Sequence, residues 1–131
     1  MATQQERAQW LHPKLKRILD EVLIRHDALG LDWHIHLVSS FRTQQQQDDA
    51  VARKASSVVW PDSPHNQYPS LAMDLQAVRQ GKLVTGEEAV VLCVQIARMV
   101  LEVAQLLQTP VTWGGLWCKS MPAGDVVEEI R

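Results

Sequence analysis

Cysteine is scarce in this chain of 131 residues, which contains only two, Cys93 and Cys118. Two cysteines are too few for the disulfide framework of a small secreted domain. Cys93 stands in an apolar segment with helical spacing, so we expect a buried thiol there and expect both cysteines to be reduced. An apolar core must then hold the fold, and residues 1–131 are long enough for one such domain.

A strong charge of either sign is also missing. The formal net charge is −2, and the 21% of residues that are charged carry both signs. A surface that binds nucleic acid needs a concentrated positive field. The composition therefore argues against a nucleic-acid partner.

The chain has no long uninterrupted apolar run. Its polar N-terminal residues contain no signal-peptide core, which predicts synthesis in the cytoplasm without a signal peptide. The apolar residues of segment 89–107 exceed what one buried helix face needs, so this segment is either a central buried helix or faces a partner, a second copy of the chain or a phage assembly. Polar residues interrupt the segment and argue against a membrane span: Gln95, Arg98, Glu102 and Gln105.

The sequence patterns predict helices and strands in irregular order. Pro13 opens a helix at a first-turn position that Gly30 ends, and residues 32–40 alternate as a strand does. Short strands are predicted at residues 71–78 and 111–113.

Two capping boxes predict the other helices. Thr43 with Gln46 begins one that reaches about residue 54, and Thr85 with Glu88 begins one that reaches about residue 108. Because helices and strands do not alternate regularly, the pattern favours an α+β fold over a doubly wound sheet.

His65 and Asp74 flank a short loop and carry two of the ligand types of a catalytic zinc site, which uses three protein ligands and a water. A lone histidine in a loop of serine, asparagine and proline is more often a surface residue. Asp74 stands among apolar residues, where a carboxylate costs energy unless it is paired or coordinated. Arg42 is the alternative, purely structural partner for that carboxylate.

Four motifs then occur in order along the chain. They are LHPKL at residues 11–15, SFRT at 40–43 with Gln46, S-x-H and A-x-D-L within 63–75, and WGGLW at 113–117. Together they resemble the D-alanyl-D-alanine carboxypeptidase and L-alanyl-D-glutamate endopeptidase family of zinc peptidases, nearest to its phage endolysin-like branch. The resemblance implies the D-Ala-D-Ala metallopeptidase (Hedgehog-like) fold, a small antiparallel sheet packed against helices.

The resemblance also implies roles for the matching residues. His65 and Asp74 would be metal ligands. Arg42 would be the catalytic arginine near the scissile carbonyl. Ser63, Trp113 and Trp117 would line the substrate site.

The chain departs from the family pattern after Trp117, where the family has an acidic residue and, three positions later, a histidine. No histidine follows Trp117 here. One match makes Asp125 the general base and Glu128 the third metal ligand, since carboxylate oxygens also bind zinc. An ungapped alignment instead puts Asp125 at the ligand position and Pro122 at that of the base. One histidine with two carboxylates is expected to tolerate manganese or magnesium beside zinc.

The resemblance predicts a metal-dependent peptidoglycan peptidase that cleaves the L-Ala–D-Glu bond, or a related bond of the stem peptide, with a metal-bound water. Such an enzyme would act on the cell wall after release, or as part of a virion. The missing histidine motivates an alternative, a catalytically degenerate relative that serves as a phage structural or cell-wall-binding protein.

Overall fold

The computed structural model describes residues 2–112. Within them a three-stranded antiparallel sheet in the order β1-β2-β3 packs against helices. The predicted α+β class with a small antiparallel sheet is therefore confirmed. In chain order the elements are α1 (Gln4–Gln9), α2 (Pro13–Ala28), β1 (His34–Ser39), α3 (Gln44–Ala52), a 3-10 helix (Pro64–Asn66), β2 (Asp74–Arg79), β3 (Lys82–Leu83) and α4 (Gly86–Leu106).

Helix α2 begins and ends where the sequence predicts. Pro13 is its first residue, and His12 Nδ1 accepts a hydrogen bond from the Lys14 N–H at 3.1 Å. The helix ends at Ala28, and Gly30 follows with φ +64°. Glycine suits this position because residues with a Cβ rarely adopt positive φ.

The two predicted capping boxes have different outcomes. Thr43 and Gln46 form the reciprocal bonds of a capping box at the start of α3. At α4 the prediction is wrong, because Thr85 makes no side-chain cap bond. Glu88 instead receives two hydrogen bonds from Arg79, at 2.8 and 2.9 Å, and Gly86 turns the chain with φ +73°.

The core lies between the sheet, α2 and α4. Helix α4 packs against α2 and β2, so the apolar segment that begins near residue 89 is a core helix on its buried face. Its other face exposes Val91, Val94 and Leu101, and a partner there stays a prediction. The most buried core side chains include Ile18, Val22, Leu37, Ile96 and Val103.

By length and composition alone, α4 also meets the requirement for a membrane span. The expectation drawn from its polar residues was therefore too strict. Only Arg98 and Glu102 carry charge in the middle of the helix, and with two charges the mean hydropathy of the helix is still that of an apolar segment. The packing of its buried face in the core is the observation that favours a core helix.

Cys93 departs from the expectation of a reduced thiol. It is buried in α4 as predicted, but it is disulfide-bonded. Cys118, the other cysteine of the sequence, lies outside the described residues.

The register of the sheet fixes one end of the site. β1 and β2 pair antiparallel with His34 opposite Val78, and an irregularity between Leu37 and Ser39 places Ser39 opposite Asp74. The end of β1 and the start of β2 therefore lie side by side. Both the carbonyl of Ser40 and the carboxylate of Asp74 are brought to this edge.

Candidate metal centre

His65 lies in the 3-10 helix of the loop between α3 and β2 and is almost fully buried, with 3% exposure. Ser63 caps this short helix, since its hydroxyl accepts a hydrogen bond from the His65 N–H at 3.2 Å. The backbone N–H of Arg42 donates to the His65 carbonyl at 2.7 Å. These bonds hold the loop against the chain that follows β1.

The imidazole orientation is set by the backbone of Ser40. His65 Nδ1 lies 2.6 Å from the Ser40 carbonyl oxygen. A carbonyl oxygen only accepts, so Nδ1 carries the proton and donates it. Metal-binding histidines usually make such a bond with the nitrogen that does not bind the metal, which leaves the other nitrogen free for the ion.

Asp74 is the first residue of β2 and uses its two carboxylate oxygens differently. Oδ2 accepts a hydrogen bond from Arg42 Nη2 at 3.0 Å. Oδ1 faces His65 Nε2 at 3.4 Å. The carboxylate is mostly buried, and its side chain is 17% exposed.

The facing atoms, His65 Nε2 and Asp74 Oδ1, are both buried and neither has a hydrogen-bond partner. Buried polar atoms are rarely left unpaired, because the loss of water is then uncompensated. With the proton on Nδ1 of a neutral ring, both atoms present lone pairs to the same space. Two acceptors converging without a donor are the arrangement that a cation satisfies.

The donor set and its spacing fit a divalent metal. Imidazole nitrogen and carboxylate oxygen each bind zinc at about 2.0–2.2 Å, so two ligands at a tetrahedral angle lie about 3.4 Å apart. The separation of Nε2 and Oδ1 is 3.4 Å. Within residues 2–112, no three His, Cys, Asp or Glu side chains come close enough to form a complete metal site. The described part of the chain thus supplies two ligands.

Arg42 lies beside Asp74 and forms the contact that the purely structural alternative gives it. Its guanidinium holds Asp74 Oδ2, and Nη1 lies 3.4 Å from Gln47 Oε1. Ser63 is buried and engaged with the His65 amide. Contacts of Arg42 and Ser63 with a substrate stay predictions.

The remaining predicted site residues lie outside the described residues. They are Trp113 and Trp117, predicted to line the substrate site, Asp125, predicted as the base, and Glu128, predicted as the third ligand. Their roles stay predictions.

Sequence reasoning missed Gln47, which looked like one more residue of a surface glutamine run. Its exposure is 0%, whereas Gln44, Gln45 and Gln46 are exposed. A signal was present, because Gln47 and Ala50 are three residues apart and so share one helix face. Both are buried.

The fold resembles that of a protein of known structure, the Serratia marcescens L-Ala D-Glu endopeptidase ChiX. The likeness has a TM-score of 0.69 and covers 99% of this chain and 87% of that one, at 21% sequence identity. The chain has the fold of an L-Ala D-Glu endopeptidase. This confirms the fold that the ordered motifs predicted, and at 21% identity it shows the fold alone. No family model matches the sequence, and no curated protein matches it.

Proposed function

We propose that this chain is a metal-dependent peptidase that cleaves the stem peptide of peptidoglycan, at the L-Ala–D-Glu bond or a related one. The observation that carries the proposal is the pair of buried, unpartnered atoms His65 Nε2 and Asp74 Oδ1, 3.4 Å apart. The fold shared with an L-Ala D-Glu endopeptidase supports the choice of substrate.

In this proposal His65 and Asp74 hold the metal, zinc first and manganese or magnesium as substitutes. A divalent cation in such a site polarises a carbonyl and lowers the pKa of a bound water. Glu128 would complete the ligand set, and the carboxylate of Asp125 would accept the proton of the attacking water. Both assignments rest on the sequence motif.

Arg42 has two tasks in the proposed reaction. Its bond to Asp74 Oδ2 fixes the carboxylate so that Oδ1 faces His65. The guanidinium has five N–H donors in a rigid fork, and one of those beyond its contacts with Asp74 and Gln47 would donate to the carbonyl oxygen of the scissile bond. A positioned cation there stabilises the negative charge that develops on that oxygen.

The proposed site of action is the cell wall, reached after release from the cell or as part of a virion. The disulfide of Cys93 supports an oxidising location, because disulfides persist outside the cytosol and are rare within it.

The test is digestion of purified peptidoglycan by the protein loaded with Zn²⁺, Mn²⁺ or Mg²⁺, with new amino termini identified by mass spectrometry. We expect cleavage by the wild type and its loss in Asp74→Ala. Asp62→Ala is the matched control, since Asp62 is an exposed aspartate of the same loop. A wild type that releases no new amino termini with any of the three metals would refute the enzyme.

The second candidate is a degenerate relative that binds the wall or a phage structure without turnover. It is favoured by the absence of any histidine after Trp117. Glu128→His separates the two candidates. Activity that appears only in this variant would favour the degenerate relative, whereas an active wild type contradicts it.

A further inference from the structure

Gln47 is a fully buried polar residue in the middle of α3, with 0% exposure. A buried amide needs partners for both its oxygen and its nitrogen. The other three glutamines of the same run are exposed. The burial of this one side chain therefore calls for a specific explanation.

The amide nitrogen of Gln47 holds the loop that follows α3. Nε2 donates to the Val58 carbonyl at 2.6 Å and to Ser56 Oγ at 3.1 Å. These two bonds dock the start of the loop on the helix. The same loop carries His65 further along.

The amide oxygen of Gln47 connects the supports of both proposed ligands. Oε1 accepts from Asn66 Nδ2 at 3.2 Å, and Asn66 follows His65 in the buried 3-10 helix. Arg42 Nη1 lies 3.4 Å from the same oxygen, and Arg42 Nη2 holds Asp74 Oδ2. One oxygen atom thus links the His65 loop to the arginine that orients Asp74.

We propose that Gln47 is a positioning residue for the His65–Asp74 site, acting through Asn66 and Arg42; the inference rests on the metal role proposed above. Ligand positions are set by the groups that hydrogen-bond to them and to their neighbours, and removal of such an outer partner typically weakens metal binding about 10- to 100-fold. The acceptor oxygen of Gln47 is the group that we expect to matter.

Three variants test the role. Gln47→Met keeps a long unbranched side chain without the amide, and we expect zinc to bind about 10- to 100-fold more weakly in a competition titration. Asn66→Ala removes the donor to Gln47 Oε1 and leaves the bonds from Gln47 Nε2 to Val58 and Ser56 in place, so we expect zinc to bind about tenfold more weakly or worse. Gln45→Met is the matched control, made at an exposed position of the same helix, and should bind zinc as the wild type does.

A second readout needs neither metal nor activity. The Arg42 backbone N–H bonds the His65 carbonyl, so hydrogen exchange of this amide in metal-free protein reports how firmly the loop is held. We expect Gln47→Met to speed this exchange by about tenfold or more while α2 amides keep their wild-type rates. A general loss of stability would instead speed exchange in α2 as well.

The outcomes separate this inference from the proposed function. Wild-type zinc affinity and wild-type Arg42 exchange in Gln47→Met would overturn the inference. A wild type that binds no zinc would refute the metal role, and the exchange data would still decide whether Gln47 holds the loop. If Gln47→Met does not fold, Asn66→Ala decides: wild-type zinc affinity and wild-type Arg42 exchange in that variant would overturn the role of the acceptor oxygen.

Discussion

The protonation of His65 decides what its pairing with Asp74 means. The bond to the Ser40 carbonyl requires a proton on Nδ1, and two states satisfy it. In a neutral ring Nε2 is a bare acceptor opposite Asp74, which suits a cation. In an imidazolium Nε2 carries a proton toward Asp74, which suits a closed ion pair. The two states predict opposite effects of removing the charge at position 74.

We predict that Asp74→Asn changes the free energy of unfolding of the metal-free protein by no more than about 1 kcal/mol, because the loss of the ion pair with Arg42 is offset by a new bond to His65. The asparagine amide can donate to Nε2, while its oxygen still accepts from Arg42. Zinc affinity should fall by more than about 10- to 100-fold, which is the loss that follows removal of a group that only hydrogen-bonds to a ligand. Urea unfolding with a chelator and a zinc competition titration measure the two quantities.

Asp62→Asn, at an exposed position of the same loop, is the control and should change neither quantity. Asp74→Asn and Arg42→Gln both lose the ion pair between Arg42 and Asp74. A destabilisation in Asp74→Asn that exceeds that of Arg42→Gln by about 3 kcal/mol or more would instead indicate an imidazolium–carboxylate pair, because breaking a buried pair leaves an uncompensated charge. That result would contradict the metal site.

The sequence predicted part of this site and missed its support. His65, Asp74 and Arg42 meet as the motifs implied, although they come from separate segments and spacing alone does not bring them together. Gln47 was missed because the run of glutamines around it indicated a surface. The orientation of the His65 ring also depends on the Ser40 carbonyl, a backbone group that carries no sequence signal.

Helix α3 carries Gln47, and its first turn is held by the capping box of Thr43 and Gln46. We predict that Thr43→Ala lowers the free energy of unfolding by about 1 kcal/mol, the usual cost of losing a cap. Thr85→Ala is the matched control, because Thr85 precedes α4 without a side-chain cap bond, and should change stability by less than about 0.5 kcal/mol. Urea denaturation of both variants measures the difference. Equal losses would mean that the Thr43 cap contributes nothing beyond local propensity.

Elements were predictable from the sequence where local signals agree with packing. Helix α1 was missed although Thr3 and Glu6 form a capping box, because none of its residues is buried and no apolar period marks it. Tertiary bonds hold it instead, with Arg7 Nε donating to the Leu37 carbonyl at 2.9 Å. Strand β2 begins at Asp74 instead of residue 71, since the Leu71 N–H bonds the Pro64 carbonyl of the site loop.

One buried histidine ties the stability of the entire fold to pH. His26, in the last turn of α2, is 2% exposed and packs edge-on against Trp33, with 4.3 Å between the two ring centroids. Its Nε2 is buried without a hydrogen-bond partner. Burial lowers the pKa of His26; the nearby Asp27 carboxylate opposes the shift, and His34 adds to it.

A histidine whose pKa is lower in the folded state than in the unfolded chain binds fewer protons when folded. Stability is then complete above the unfolded pKa of about 6.5 and falls as pH drops below it, with a slope of at most about 1.4 kcal/mol per pH unit. We predict that urea unfolding at pH 7.5, 6.5, 5.5 and 5.0 shows the free energy of unfolding of the wild type falling below pH 6.5. His26→Leu should remove the part of this fall that protonation of His26 causes. His34→Gln, at an exposed position of β1, is the control and should keep most of the slope.

The Arg79 hydrogen bond lowers the pKa of Glu88, so stability from that carboxylate is lost only at lower pH, below about 4.5. An unchanged slope between pH 6.5 and 5.0 in His26→Leu would mean that the acid sensitivity of the fold arises elsewhere.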